Sequence, residues 1–115
     1  GSLLMQLGTV VTAASLKPAN YLLFVFGNGT YESSGNQTIP GFGLMDFRGI
    51  AKAAGFAVAE TFADAAALDA AMPHLLKAVG PVFVYLEIDR EFGTPRWPGA
   101  SMAGQVQALR ERLMT

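Results

Sequence analysis

The spacing of apolar positions changes period several times along the chain. Between Ser2 and Ser15, Leu3, Leu7, Val10, Val11 and Ala14 fall near helical spacing, with Ser2 placed to cap. One continuous helix is predicted there. Gly8 inside it costs about 1 kcal/mol relative to Ala, so close packing is expected at that point. Lys17-Pro18-Ala19-Asn20 reads as a connector. Tyr21–Phe26 is then apolar without alternation, the pattern of a parallel strand buried on both faces. Gly27-Asn28-Gly29 breaks that run. Residues 30–44 are polar and Gly-rich, too long for an ordinary turn and of the kind usually functional or mobile. Asp46 is placed to cap a helix with Phe47, Ile50, Ala51 and Ala54 on one face, and Gly55 is its natural stop. Phe56–Phe62 reads as a short strand. Asp64 opens an Ala-rich helix whose inward residues are expected to be Leu68, Ala71, Leu75, Leu76 and Val79. Pro73 is expected to kink or restart it. After Gly80-Pro81, Val82–Ile88 has the strongest strand pattern. Glu91–Gly99, with two Pro and two Gly, reads as an extended linker. Met102–Met114 is a final helix with Val106, Leu109 and Leu113 on one face.

The predicted order is αβαβαβα. Strands that alternate with helices imply an α/β domain, a parallel sheet with helices on both faces. Such sheets bind ligands beyond the carboxyl ends of their strands. Two places qualify: Gly27–Tyr31 after the first strand, and the helix start at Gly1-Ser2. No fixed-period repeat and no long low-complexity run interrupts the pattern.

Composition narrows the function classes. The 115 residues are 51% hydrophobic and 15% charged, with a formal net charge of -1. A typical domain carries about 25% charge, so this chain has much surface to hide, and disorder is excluded. An isoelectric point near 5.7 and no basic cluster argue against a nucleic-acid partner. No apolar run approaches the roughly 20 residues of a membrane span. Leu3–Leu7 lacks the flanks of a signal peptide, so a cytoplasmic location is expected. The absence of cysteine removes disulfides, thiolate metal sites and thiol nucleophiles.

Several chemical motifs fail. Gly27-Asn28-Gly29 would need a third glycine at 32 to be a dinucleotide fingerprint, and position 32 is Glu. There is no phosphate loop of the G-x-x-x-x-G-K type and no nucleophile elbow. His74 is the lone histidine and reads as an exposed helix residue rather than a triad member. One His without Cys cannot make a zinc site of the usual kind, which leaves an oxygen-ligand Mg²⁺ site open.

One constellation succeeds. Gly1-Ser2-Leu3-Leu4-Met5 followed by Phe26-Gly27-Asn28-Gly29-Thr30-Tyr31 resembles the C-terminal, diphosphate-binding domain of thiamine-diphosphate-dependent enzymes. That family carries Gly-Asp-Gly-Ser at a strand-to-helix turn and an Asn downstream, and Asn28 stands at the usual distance. Tyr31-Glu32-Ser33-Ser34-Gly35-Asn36-Gln37 is similar to the phosphonopyruvate and sulfopyruvate decarboxylase branch. The likeness covers most of residues 1–89. It implies a binding domain over 1–89, a linker over 90–101 and a C-terminal helix over 102–115. It also implies the thiamine-diphosphate-binding fold without its first strands. The family's aspartate would immediately precede Gly1, so the chain is expected to be cut at this turn. Gly27 departs from the Asp or Asn usual in the family.

The resemblance implies roles residue by residue. Gly1, Ser2, Leu3, Gly29 and Tyr31 would bind the cofactor, and Asn28 and Thr30 would hold Mg²⁺, through a side-chain oxygen and a backbone carbonyl respectively. A helix N-terminus suits a diphosphate because its N–H groups are free and its dipole end is positive. The loop over 30–44 would order on the bound cofactor. The roles of Tyr31 and Glu32 in chemistry stay open, and no catalytic residue is assigned. Activation in the family comes from a glutamate of a pyrimidine-binding domain, usually on another subunit. A homo- or hetero-oligomer and an isolated chain without activity are therefore expected. The implied function is the diphosphate-binding part of a 2-oxo acid decarboxylase. The alternatives are a non-catalytic or regulatory domain of the same fold and an acetolactate-synthase-like carboligase.

Overall fold

A computed structural model describes residues 1–90 and 101–114. The helices are α1 (Ser2–Met5), α2 (Gly8–Ser15), α3 (Phe47–Ala54), α4 (Ala65–Leu75) and α5 (Met102–Leu113). The strands are β1 (Leu22–Gly27), β2 (Thr30–Tyr31), β3 (Gln37–Thr38), β4 (Val58–Phe62) and β5 (Val82–Glu87). Most of the expected linker lies outside the described residues.

The main sheet is parallel, in the order β1-β5-β4. Val82 of β5 faces Leu22 on one side and Val58 on the other. The chain passes from β1 across to β4, then returns to β5 between them. Right-handed crossovers made in opposite directions put their helices on opposite faces. The two cores follow that rule. Val10 and Ala14 of α2 and Phe47 and Ala51 of α3 pack with Phe56, Ala59 and Phe83. Leu75 of α4 packs with Val82 and Val84, against Leu22, Phe24 and Phe62. Side chains alternate along a strand, so β5 feeds Phe83 to one layer and Val82 and Val84 to the other. The α/β architecture with helices on both faces of a parallel sheet is as expected.

The caps expected at Asp46, Gly55 and Asp64 match, whereas Ser2 does not cap: it is the first residue of α1, whose N-cap is Gly1, and no side-chain cap bond forms there. The Asp46 carboxylate accepts from Gly49 N–H at 2.8 Å, and Gly55 closes α3 at φ 112°. Asp64 accepts from the N–H groups of Ala66 and Ala67 at 2.9 and 3.3 Å. Ser101 caps α5 by accepting from Gly104 N–H at 3.1 Å.

Other expectations are corrected. The first helix is broken, because Gln6 leaves the helical region at φ -133°. Gly8 and the β-branched Thr9-Val10-Val11 lower helix propensity just beyond that point. Among the described residues nothing outside its own helix lies within 4 Å of where a Gly8 side chain would stand, so the close packing expected there is not found. Val10 and Ala14 are buried while Val11 is exposed. β1 is not buried on both faces, and Phe26 is 64% exposed. It is an edge strand of the described sheet; the strand closed off on both sides is β5. Pro73 does not divide α4. It sits in the last turn, and the carbonyl it leaves unpaired belongs to Asp69, an exposed residue that water can reach. Leu76 and Val79 lie past the end of that helix, 65% and 74% exposed, because the helical register that aims Leu75 inward has stopped. The apolar residues Val106, Leu109 and Leu113 of α5 are exposed. Among the described residues no helix is long and apolar enough to cross a membrane.

These assignments separate two adjacent leucines. Leu75→Ala is expected to cost about 2–5 kcal/mol, since the side chain is fully buried. Leu76→Ala is expected to stay within about 0.5 kcal/mol. Urea unfolding midpoints of the two variants check the difference.

Candidate functional site

The carboxyl end of β1 is shaped by its turn residues. Asn28 accepts from Thr30 N–H through Oδ1 at 3.2 Å and donates from Nδ2 to Glu32 Oε2 at 2.8 Å. Both ends of the amide are thus fixed, with the oxygen directed to the turn. Gly29 adopts φ +73°, and a Cβ there would stand 2.4 Å from the Phe42 ring. Conformation and space both demand glycine. Ile39 N–H then donates to the Gly29 carbonyl at 3.0 Å.

Residues 30–44 are more structured than a polar loop implies. β2 and β3 form a short antiparallel pair around a helical turn at Glu32–Ser34. Thr30 and Ile39 are buried, and Ile39 joins the core beside Phe47. Thr30 Oγ1 donates to Asn36 Oδ1 at 3.1 Å. Arg90, at the far end of β5, donates to the Asn36 carbonyl. The hairpin is tied to the sheet edge by these bonds. The signal missed in the sequence was the pair Thr30 and Ile39, two core positions hidden in a Gly-rich stretch.

The two halves of the motif meet. A Cβ on Gly1 would stand 2.7 Å from the Thr30 carbonyl oxygen and 3.0 Å from Tyr31 Cα. Only glycine lets these backbones approach so closely. The N–H groups of Ser2 and Leu3 open α1 and have no partner among the described residues. The Leu3 side chain packs on the core, while Ser2 is exposed. Gly1, at the start of α1, therefore lies beside Thr30 and Tyr31, which follow Asn28 and Gly29 in the turn. Among the described residues no group of three or more His, Cys, Asp or Glu could hold a metal ion. The oxygens that the turn supplies are neutral, apart from Glu32.

A cavity of about 500 Å³ adjoins this turn at the carboxyl edge of β1 and β5. Gly27 and Asn28 line one side, Phe42, Phe47 and Tyr85 form aromatic walls, and Glu87, Asp89 and Arg90 stand at the charged side. Gly1, Ser2 and Leu3 are not among its lining residues. Tyr85 stacks on Phe47 with ring centroids 4.8 Å apart and planes 10° from parallel. Burial, and secondly the Glu87 charge, push the Tyr85 phenol above its ordinary value. The sequence reading gave Tyr85 no place beyond the strand, because a tyrosine in an apolar run looks like core.

No protein-family model matches the chain. Phosphonopyruvate decarboxylase of Streptomyces hygroscopicus is 26% identical over 129 residues, covering 94% of this chain and 32% of that protein. Sulfopyruvate decarboxylase subunit beta of Methanothermobacter thermautotrophicus is 34% identical over 88 residues, covering 76% of this chain and 44% of that protein. The chain spans less than half the length of these curated relatives.

The raised phenol carries a pH consequence. The folded state keeps the Tyr85 proton above the usual tyrosine value of about 10, whereas the unfolded chain loses it there. The stability it contributes is fully present below that value and is lost as pH rises through the folded one. Tyr85→Phe is expected to melt like the wild type at neutral pH and to lose less stability in strong alkali. Thermal melts across the alkaline range check this.

Proposed function

We propose that this chain, a relative of the phosphonopyruvate and sulfopyruvate decarboxylases over part of their length, is the diphosphate-binding part of a thiamine-diphosphate- and Mg²⁺-dependent 2-oxo acid decarboxylase. The observation that carries the reading is the meeting of Gly1 with the Thr30–Tyr31 backbone. It brings unpaired backbone donors and a cluster of oxygens to one edge of a parallel sheet, where such folds bind ligands. Residues 1–89 are the binding domain in this reading, and the helix over 102–115 lies outside it.

The residues present fit the cofactor's two charged parts. The Ser2 and Leu3 N–H groups suit a diphosphate oxygen, the Ser2 hydroxyl can donate a further bond, and Gly1 keeps the approach clear. Asn28 Oδ1 and the Thr30 carbonyl are hard oxygen donors of the kind Mg²⁺ prefers. Glu32, by accepting from Asn28 Nδ2, keeps the amide oxygen turned inward. Gly29 holds the turn open, and Tyr31 closes its side beside Gly1. Neutral oxygens hold a divalent cation weakly, so the aspartate expected immediately before Gly1 and the diphosphate's own charge would complete the site. When bound, thiamine diphosphate supplies a carbon nucleophile for the 2-oxo acid carbonyl and an electron sink for decarboxylation.

The cofactor's other half calls for a partner, a pyrimidine-binding domain or subunit within a homo- or hetero-oligomer. Phe26, near the end of β1, and Phe42, against Gly29, support that requirement, since each is 64% exposed beside the turn. Apolar side chains exposed beside a candidate site suit an interaction surface. Activity is expected only in the assembled enzyme.

Calorimetry tests the reading. The chain with its partner is expected to bind thiamine diphosphate in the presence of Mg²⁺, and to show no heat with Mg²⁺ alone. Asn28→Ala should weaken cofactor binding by about tenfold or more. Failure of the wild-type assembly to bind thiamine diphosphate with Mg²⁺ would overturn the assignment.

A further inference from the structure

Gly27 is the one position in the turn where the resemblance leads to a different residue, and the structure gives the reason. A Cβ on Gly27 would lie 2.2 Å from both Cζ and Oη of Tyr85. The space a side chain at 27 would fill is already taken, from the neighbouring strand, by the phenol end of Tyr85. Gly27 and Tyr85 are not direct partners in register, since Gly27 pairs with Glu87 and Val25 with Tyr85. The phenol reaches along the strand to cover Gly27.

We infer that Tyr85 is a ligand-binding residue of the cavity, supplying through its hydroxyl the polar group that position 27 lacks. Three observations support this. The hydroxyl stands over Gly27, next to Asn28, and both line the same cavity as Tyr85. It has no hydrogen-bond partner among the described residues, although its ring is partly buried. Open to solvent and without such a partner, the hydroxyl is available to donate to a ligand. Stacking on Phe47 fixes the ring, so the donor is held in place before any ligand arrives.

The lining also limits the ligand's chemistry. Phe42, Phe47 and Tyr85 offer flat apolar walls, and Glu87 and Asp89 outweigh Arg90 in formal charge. A heteroaromatic ring that is neutral or cationic fits these walls better than a free polyanion does. This inference rests on the proposed function, in which thiamine diphosphate is that ligand.

Tyr85→Phe isolates the hydroxyl, because the ring that stacks on Phe47 and covers Gly27 is kept. With the assembled protein, thiamine diphosphate plus Mg²⁺ is titrated into the wild type and the variant by calorimetry. The expected result is binding about tenfold weaker in Tyr85→Phe, with an unchanged melting temperature in the absence of ligand. A tyrosine ultraviolet difference signal on binding, present in the wild type and lost in the variant, is the second expected readout. Equal affinity in the two proteins overturns the role of Tyr85 and leaves the cofactor assignment standing. Absence of binding in the wild type overturns both. Gly27→Ala serves as a second variant. It should displace the phenol and weaken binding likewise, and wild-type affinity in it would also count against the inference.

Discussion

β5 pairs with both β1 and β4, and the positions of the other parts depend on that double pairing. Val82, Phe83 and Val84 are buried and feed both cores, so the strand cannot shift by one residue without exchanging its two faces. The register reaches the carboxyl edge, where Ile88 N–H donates to the Gly27 carbonyl at 3.3 Å. The turn after β1, the phenol of Tyr85 and the guanidinium of Arg90 are thereby held at one edge. A slip in β5 would separate the cavity wall from the turn that the cavity adjoins.

Glycines at this edge act by leaving space that neighbours use. The Thr30 carbonyl lies where a Gly1 side chain would stand, the Tyr85 phenol where one on Gly27 would, and the Phe42 ring where one on Gly29 would. Each vacancy brings together groups distant in sequence. The result is an edge with unpaired backbone donors on one side and an aromatic cleft on the other, joined by Asn28. Asn28 belongs to both, since its amide closes the turn and its residue lines the cavity.

Much of the fold was legible in local pattern. Asp46, Asp64 and Gly55 mark helix ends because their capping interactions involve residues only two to four positions away. The motif residues were legible for a similar reason, since Asn28-Gly29 writes its turn in its own side chain and φ. Inward faces were read less well. Leu76 and Val79 follow the spacing of Leu75 but lie beyond its helix, and the apolar run of β1 belongs to an edge strand. The hairpin inside residues 30–44 was missed because its two core contacts, Thr30 and Ile39, are set by packing against distant elements.

The sequence by itself determined the alternation of helices and strands, the parallel α/β class, the caps at Asp46, Gly55 and Asp64, and the residues of the two-part motif. These rest on periodicity and short-range hydrogen bonds, which a linear chain already contains. Only the tertiary structure decided that Gly1 meets Thr30, that Tyr85 fills the space over Gly27, and that Arg90 ties down the hairpin through Asn36. The physical reason is that these contacts join segments remote in the chain. Their geometry is fixed by strand order and register, and neither is written at the positions that finally touch.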